Sequence, residues 1–239
     1  MPRERLNVAL LAVFAIAALA GNAAAAPPTQ LSILRACADA DTPAQCERVI
    51  EAAQIKQFPS IASRDAGVLR LKARGAPMEF RDQGEPGKEE GPGFRAYAFW
   101  DYWFIKNAAV LSVVAQAGDH YLLVDLERRT QVQLAAEPLL GPDGNRFAVV
   151  DFCETKCGNV LEVWRYDRDR IYRERSFKPP EKWYGAEVTW KDLTTFEIEY
   201  SVASPDTPPG SDVEPVLMRG KTRLLKFSDR GWTVDEGRR

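Results

Sequence analysis

Three apolar runs in quick succession decide the fold: FRAYAFWDYWFI at 94–105, AVLSVVAQ at 109–116 and HYLLVDLE at 120–127. Each run is short and rich in β-branched and aromatic residues, and turn residues such as those at 117–119 separate one run from the next. The same pattern continues to the end of the chain and amounts to roughly a dozen strands. We therefore expect a mainly β domain of antiparallel meanders over residues 67–239.

Part of this β region resembles a known repeat. YLLVDLERRTQVQL (121–134), GPDGNRFAVV (141–150) and NVLEVWRYD (159–167) are similar to blades of WD40-like and TolB-like β-propellers, with GPDG (141–144) standing where those blades carry an SPDG turn. The resemblance covers about 98–177 and implies an incomplete, open propeller-like array, because a closed ring needs ~4–8 blades. It implies no particular activity, since propellers serve binding, scaffolding and catalysis alike.

The N-terminus has the pattern of a secretory leader. Arg3 and Arg5 precede a 15-residue apolar stretch at 6–20, and alanines at 23–26 supply an A-x-A-type cleavage site. The stretch is shorter than the ~20 apolar residues of a transmembrane helix. LAGN rather than LAGC follows it, which argues against a lipoprotein. We expect residues 1–25 to be a signal peptide of a periplasmic or secreted bacterial protein, with no membrane span after cleavage.

The four cysteines are interpreted through this compartment. An even number of cysteines in an oxidising environment predicts two disulfides. Three pairings are open, and we favour the local one, Cys37–Cys46 with Cys153–Cys157, in which each bond closes a short loop. A C-x3-C spacing is not usual for zinc, and a redox site would more often be C-x-x-C. We therefore expect structural disulfides and no metal.

The segment that follows the leader favours helix. Within residues 26–66, a Thr-Pro pair at 42–43 resembles a helix cap, apolar residues then recur at helical spacing, and Phe-Pro at 58–59 ends the pattern. A shorter helix is expected around 31–38, tied to the first by the Cys37–Cys46 bond. The sequence leaves open whether this segment packs on the sheets or reaches for a partner.

Composition and missing motifs exclude several function classes. Lys and Arg total 32 against 34 Asp and Glu, for a net charge of -2, so an electrostatically driven nucleic-acid binder is not expected. The single histidine, His120, cannot form a site that needs several His ligands. The chain has no G-x-S-x-G, P-loop, H-E-x-x-H or strand-following G-x-G-x-x-G motif. We predict no catalytic residues and no cofactor.

The aromatic run at 97–104 is the most unusual feature of the sequence. Strand alternation would place Tyr97, Phe99, Asp101 and Trp103 on one face. One interpretation is a central strand that is buried on both sides. The other is an accessible platform, which Asp101 favours because an unpaired buried carboxylate is costly. We predict a non-catalytic binding protein that engages an envelope protein or a cell-wall glycan through these four residues.

Two alternatives to this function stay open. A carboxylate-dependent envelope hydrolase would need two carboxyl groups ~5–10 Å apart. The acidic residues that interrupt apolar strands are candidates: Asp101, Asp125, Asp151, Glu162 and Asp192. The other alternative is a structural or assembly factor.

Charges alternate in sign along RYDRDRIYRER (165–175). This pattern predicts a solvated hairpin with cross-strand ion pairs. A binding patch for an acidic partner is the alternative interpretation.

Overall fold

The computed structural model describes residues 37–85, 88–89, 91–152, 157–168, 170–204 and 216–235. These residues form one α-helix and fifteen strands. The elements are α1 (Pro43–Gln57), β1 (Ala62–Asp65), β2 (Val68–Leu71), β3 (Met78–Arg81), β4 (Arg95–Trp103), a 3-10 turn (Phe104–Lys106), β5 (Ala108–Ala115), β6 (His120–Asp125), β7 (Thr130–Leu134), β8 (Pro138–Leu140), β9 (Arg146–Asp151), β10 (Val160–Tyr166), β11 (Ile171–Phe177), β12 (Trp183–Trp190), β13 (Thr195–Ala203), β14 (Leu217–Ser228) and β15 (Gly231–Asp235).

The strands form four antiparallel meanders in chain order. Sheet A contains β1–β3, sheet B contains β4–β7, sheet C contains β8–β11 and sheet D contains β12–β15. The mainly β, antiparallel fold predicted from the sequence is confirmed. The arrangement is compatible with a sandwich or a propeller-like array, and no closed sheet or closed propeller forms among the described strands.

The sheets are held together by a hydrophobic core between each consecutive pair. In β9, Phe147 and Val149 belong to the core between sheets B and C, whereas Ala148 between them belongs to the core between sheets C and D. All eight residues of β5 are buried, because sheet B has a core on each face. Burial on both faces explains why β5 is continuously apolar instead of alternating.

Helix α1 packs on sheet B. It begins where the sequence predicts, with the Thr42 hydroxyl accepting a hydrogen bond from the Gln45 N–H at 3.3 Å and Pro43 in the first turn. Ile50 inserts into the core between sheets B and C. The helix ends at Gln57, just before the Phe-Pro pair. For α1, the open question is thus answered: this part of the segment packs on sheet B.

The expected helical segment at 26–66 is wrong at its C-terminal end. Residues 62–65 form β1, which pairs with β2 in a tight hairpin. Ala66 adopts a left-handed φ of 49°, and the adjacent Gly67 completes the reversal between the two strands. Residues 62–65 pair with β2 instead of forming a helix, because Pro59 prevents α1 from continuing and only a few residues follow it. Most of the expected helix at 31–38 and all of residues 1–25 lie outside the described residues.

A cluster of charged side chains covers the outer edge of β4. Asp82 accepts a hydrogen bond from the Tyr97 N–H at 3.0 Å, and Glu51 accepts one from the Phe99 N–H at 2.9 Å. The guanidinium groups of Arg48 and Arg64 both donate to the Tyr97 carbonyl. At Arg95 this edge pairs with the backbone of Gln83, and beyond it the free backbone groups of Tyr97 and the Phe99 N–H are satisfied by side chains. We call Arg48, Glu51, Arg64 and Asp82 the edge cluster.

The Cys37–Cys46 disulfide is present and ties the turn at residue 37 to the first turns of α1. Cys157 is also disulfide-bonded. Cys153 lies outside the described residues, so its pairing with Cys157 stays a prediction. No helix in the described part of the chain has the length and apolar character needed to cross a membrane.

Candidate functional site

The four residues predicted to form a platform do not share a face. A β-bulge interrupts the pairing of β4 with β5 between Phe99 and Asp101. The bulge adds one residue to β4 and so reverses the alternation beyond it. Phe99 consequently lies in the core between sheets A and B, Trp103 lies in the core between sheets B and C, and Tyr97 is half-buried. The expected common face is wrong, and a binding role for these residues stays a prediction.

Asp101 is buried without being left unsatisfied. Its carboxylate accepts a hydrogen bond from the Tyr102 N–H at 2.7 Å. Burial raises the pKa of Asp101, and hydrogen bonds from the Tyr102 backbone and the Trp103 side chain partly offset that rise. Because these hydrogen bonds satisfy the Asp101 carboxylate, its burial avoids the cost of an unpaired group and does not require an accessible face.

Exposed apolar surface occurs instead where β4 ends. The 3-10 turn carries Phe104, which is 78% exposed, and Ile105, which is 74% exposed. These are the most exposed large hydrophobic side chains among the described residues. Asn107 adopts a left-handed φ of 49°, which reverses the chain into β5 and holds the two side chains outward. We call Phe104 and Ile105 the apolar lip.

A cleft of about 350 Å³ adjoins the apolar lip, where connections of sheets B and C meet. The predicted GPDG turn (141–144) lies next to the lip, with the Gly144 N–H bonded to the Gly141 carbonyl at 3.0 Å. Gly144 lies beneath Ile105, because a Cβ on Gly144 would be 3.5 Å from the Ile105 Cγ2. The next residue, Asn145, faces the cleft. The sequence thus identifies a turn that helps to shape the site. It does not show that this turn lies beside the apolar lip and the cleft.

The acidic groups of the cleft are paired within the protein. The three pairs are Asp125 with Arg128 at 2.6 Å, Glu127 with Arg74 at 2.9 Å, and Asp167 with Arg165 at 3.7 Å. Asp167 also accepts a hydrogen bond from the Arg168 backbone N–H at 2.9 Å. The side chain of Tyr166 also bonds to Asp125, and burial, followed by this bond, raises the pKa of Tyr166. The carboxylates of this cleft are thus already engaged by cations or hydroxyls of the chain.

Two basic side chains of the cleft lack such partners. The Lys106 ammonium donates to the neutral Asn145 side chain at 2.7 Å. Arg168 is exposed at the turn between β10 and β11. In the part of the chain that the structure describes, neither residue has a carboxylate oxygen within 4.0 Å of its cationic nitrogens. The lining has three cations and three carboxylates, and two of the cations, Lys106 and Arg168, lie beside apolar surface without a carboxylate partner among the described residues.

The hairpin that carries Arg168 confirms the prediction from alternating charge. Arg173 pairs with Glu162 on the neighbouring strand, and Arg165 pairs with Glu174 at 3.4 Å. These cross-strand pairs stabilise β10 and β11 and fix the position of the turn beside the cleft.

A second polar group lies beneath α1. The Ser112 hydroxyl donates to Glu47, and the Trp100 indole N–H donates to Glu137 at 2.9 Å. Burial raises the pKa of Glu47 to about 7, with Asp119 and Glu89 adding to the rise. The sequence analysis missed this group, although Ser112 is the single polar residue of the apolar strand AAVLSVVA. That interruption was the available signal.

The remaining hydrolase candidates are held locally. Asp125, Asp151 and Asp192 each accept a backbone N–H from their own turn or connection, at 2.8, 2.7 and 2.7 Å. Hydrogen bonds of this kind lower the pKa of Asp192. Glu162 pairs with Arg173. A structural role in stabilising turns and strands therefore accounts for the carboxylates of Asp125, Asp151, Glu162 and Asp192.

Comparisons of the chain with protein-family models, with curated proteins and with solved structures found no match.

Proposed function

We propose that the protein is an exported, non-catalytic binding protein that engages an envelope protein through the apolar lip and the adjoining cleft. The observation that carries this proposal is the exposure of Phe104 and Ile105 side by side. Burial of one such side chain is worth about 1.5–3 kcal/mol, so two of them held in water form a surface that a partner can cover favourably. Exposed apolar surface rimmed by polar residues is typical of interaction sites.

Export is supported by the Cys37–Cys46 disulfide, since such bonds persist in oxidising compartments. The leader-like pattern at residues 1–25 points the same way. A protein partner is favoured over a cell-wall glycan because one of the two lip side chains is aliphatic, whereas a sugar platform would use the faces of aromatic rings. The proposed contact surface is therefore the apolar lip, in place of the predicted face of Tyr97, Phe99, Asp101 and Trp103.

An envelope hydrolase is the second candidate, and one observation favours it. A carboxylate with a pKa of about 7, bonded to a hydroxyl, is suited to act as a general base near neutral pH. However, Ser112 is only 2% exposed and lines neither the cleft at the lip nor the cleft beside Tyr184 on sheet D. A substrate has no described route to Ser112, so the binding proposal ranks first.

The proposal is tested by capture with matched variants. The oxidised protein, produced from the full-length chain, is immobilised and exposed to an envelope extract. A Phe104→Ser/Ile105→Ser variant is compared with Leu193→Ser, which alters a 56% exposed apolar residue elsewhere. Both variants should stay folded, because surface substitutions usually change stability by about 0.5 kcal/mol or less.

We expect wild type and Leu193→Ser to retain the same protein in near-stoichiometric amounts, and the double variant to lose it. Quantitative mass spectrometry measures the retained protein. Equal retention by the double variant, or no specific retention by wild type, would contradict the proposal.

A further inference from the structure

We infer that the apolar lip and its cleft bind an acidic segment of the partner protein that carries a large apolar side chain. This inference rests on the proposed function and specifies the chemistry of the partner. Its basis is the combination, within one site, of exposed apolar surface, a small recess and two cations that have no carboxylate partner among the described residues.

The recess limits the size of what can enter. At about 350 Å³ the cleft lies near the lower end of the roughly 300–1,000 Å³ range of ligand pockets. Such a volume suits one or two side chains from a partner segment. Because Ile105 packs over Gly144, the lip is supported from below and offers a fixed apolar wall. An apolar side chain of the segment would contact this wall and Phe104.

Charge complementarity selects an acidic segment. The three carboxylates of the lining, Asp125, Glu127 and Asp167, are each paired with an arginine of this chain. Lys106 and Arg168 have no carboxylate partner among the described residues, so a carboxylate of the partner segment can pair with them. A third exposed cation, Arg170, lies in the same β10–β11 connection and stacks on the Tyr172 ring at 4.5 Å. A segment with Asp or Glu flanking its apolar residue would meet these cations.

An anionic membrane surface would also attract cations beside apolar side chains. The shape of the site favours a peptide, because a side chain of a peptide can enter the recess of about 350 Å³ beside the lip. A bilayer surface would cover the two lip side chains and leave the recess unfilled. A membrane is therefore an outcome that the test must distinguish.

The test uses random dodecapeptides displayed on phage as the probe. Selections are run on the wild-type protein, on Phe104→Ser/Ile105→Ser and on a charge-reversed Lys106→Glu/Arg168→Glu variant. A Lys178→Glu/Arg230→Glu variant reverses two exposed cations outside the cleft lining and serves as the control. Binding of synthetic copies of the selected peptides is measured by fluorescence anisotropy at low and high salt.

We expect wild type and control to select peptides in which acidic residues flank a large apolar residue. Affinity should fall roughly tenfold or more in the charge-reversed variant, and it should fall as salt rises. That variant should instead select basic peptides. Loss of these peptides in the Phe104→Ser/Ile105→Ser variant would place them at the lip.

Three results would overturn the inference. If the selected peptides need the lip but are not enriched in acidic residues, the inference of an acidic segment is wrong, while the proposed protein-binding function is still supported. The same conclusion follows if the peptides bind the charge-reversed variant as tightly as they bind wild type. If no peptide depends on the lip, while phosphatidylglycerol vesicles bind in a lip-dependent way, then both the inference and the protein-binding function are wrong.

Discussion

The Glu47 carboxyl group should make the free energy of unfolding depend on pH. Replacing Glu47 with glutamine should remove most of that dependence, because glutamine does not titrate. Glu47 lies in α1 and bonds to Ser112 of β5, and burial of its carboxyl group raises the pKa of Glu47 to about 7, from an ordinary value of 4.5. The nearby carboxylates of Asp119 and Glu89 raise it further, while the Ser112 hydroxyl and Arg48 act in the opposite direction. The folded protein thus holds this proton at pH values where the unfolded chain has released it.

The sign follows from proton binding. Between pH 4.5 and 7 the folded state binds more protons at this site than the unfolded state, so stability falls as the pH rises. The contribution is complete below pH 4.5 and is lost as the pH rises through about 7. Since one pKa unit corresponds to about 1.4 kcal/mol, the raised pKa of Glu47 contributes about 3 kcal/mol to the free energy of unfolding at low pH. Between pH 5 and pH 8 the loss should be about 2.5 kcal/mol.

The assay is urea unfolding of the oxidised protein at pH 5, 6, 7 and 8, followed by tryptophan fluorescence. Asp101 and Glu137 also have pKa values raised by burial, so the wild-type slope includes their contributions. The difference between Glu47→Gln and wild type isolates Glu47. Glu127→Gln, which alters an exposed carboxylate, is the control and should leave the slope unchanged.

We expect Glu47→Gln to become more stable relative to wild type by about 2–2.5 kcal/mol as the pH rises from 5 to 8. A difference that stays constant within about 0.5 kcal/mol over this range would refute the reasoning. It would show that Glu47 reaches water in the folded protein.

Three further predictions concern stability, and each is measured by urea unfolding of the oxidised protein. Arg64→Ala should cost about 2–3 kcal/mol, because it removes one cation from the edge cluster and weakens the cover of β4. Arg74→Ala, in an exposed ion pair, should cost less than about 1 kcal/mol, and similar losses for the two variants would contradict this prediction. Trp183→Ala should cost about 3–5 kcal/mol, because the ring is fully buried in the core between sheets C and D; a loss below about 1 kcal/mol would argue against that packing. Replacing Cys37 and Cys46 together with serine should cost about 2–3 kcal/mol by releasing the bridged loop in the unfolded chain; an unchanged midpoint would mean that the bond does not constrain that loop.

Local patterns predicted the secondary structure well. The runs at 94–105, 109–116 and 120–127 became β4, β5 and β6, because β-branched and aromatic residues between turn residues favour paired strands. The Thr-Pro cap at 42–43 marked the start of α1, since it depends only on neighbouring residues. The alternating charges at 165–175 likewise predicted cross-strand pairs that the β10–β11 hairpin forms.

The candidate site was not predictable in the same way. A single bulge in β4 moved Phe99 and Trp103 to different cores, and alternation along one strand cannot reveal an extra residue that is set by pairing with β5. The outward turn of Phe104 and Ile105 depends on where β4 ends. That end is fixed by the left-handed residue Asn107 and by packing between sheets.

The sequence by itself determined the fold class, the order of the strands, the start of α1 and the candidate disulfides, because these depend on residues close together in the chain. The tertiary structure alone decided which aromatic rings are buried, which cations are left without a carboxylate and which turn lies beside the apolar lip. Those properties arise when sheets B and C pack together and bring residues far apart in sequence into contact. The burial of these rings and the pairing of these cleft residues are set by contacts between sheets, so the local patterns that predicted the strands and the β10–β11 ion pairs do not specify them.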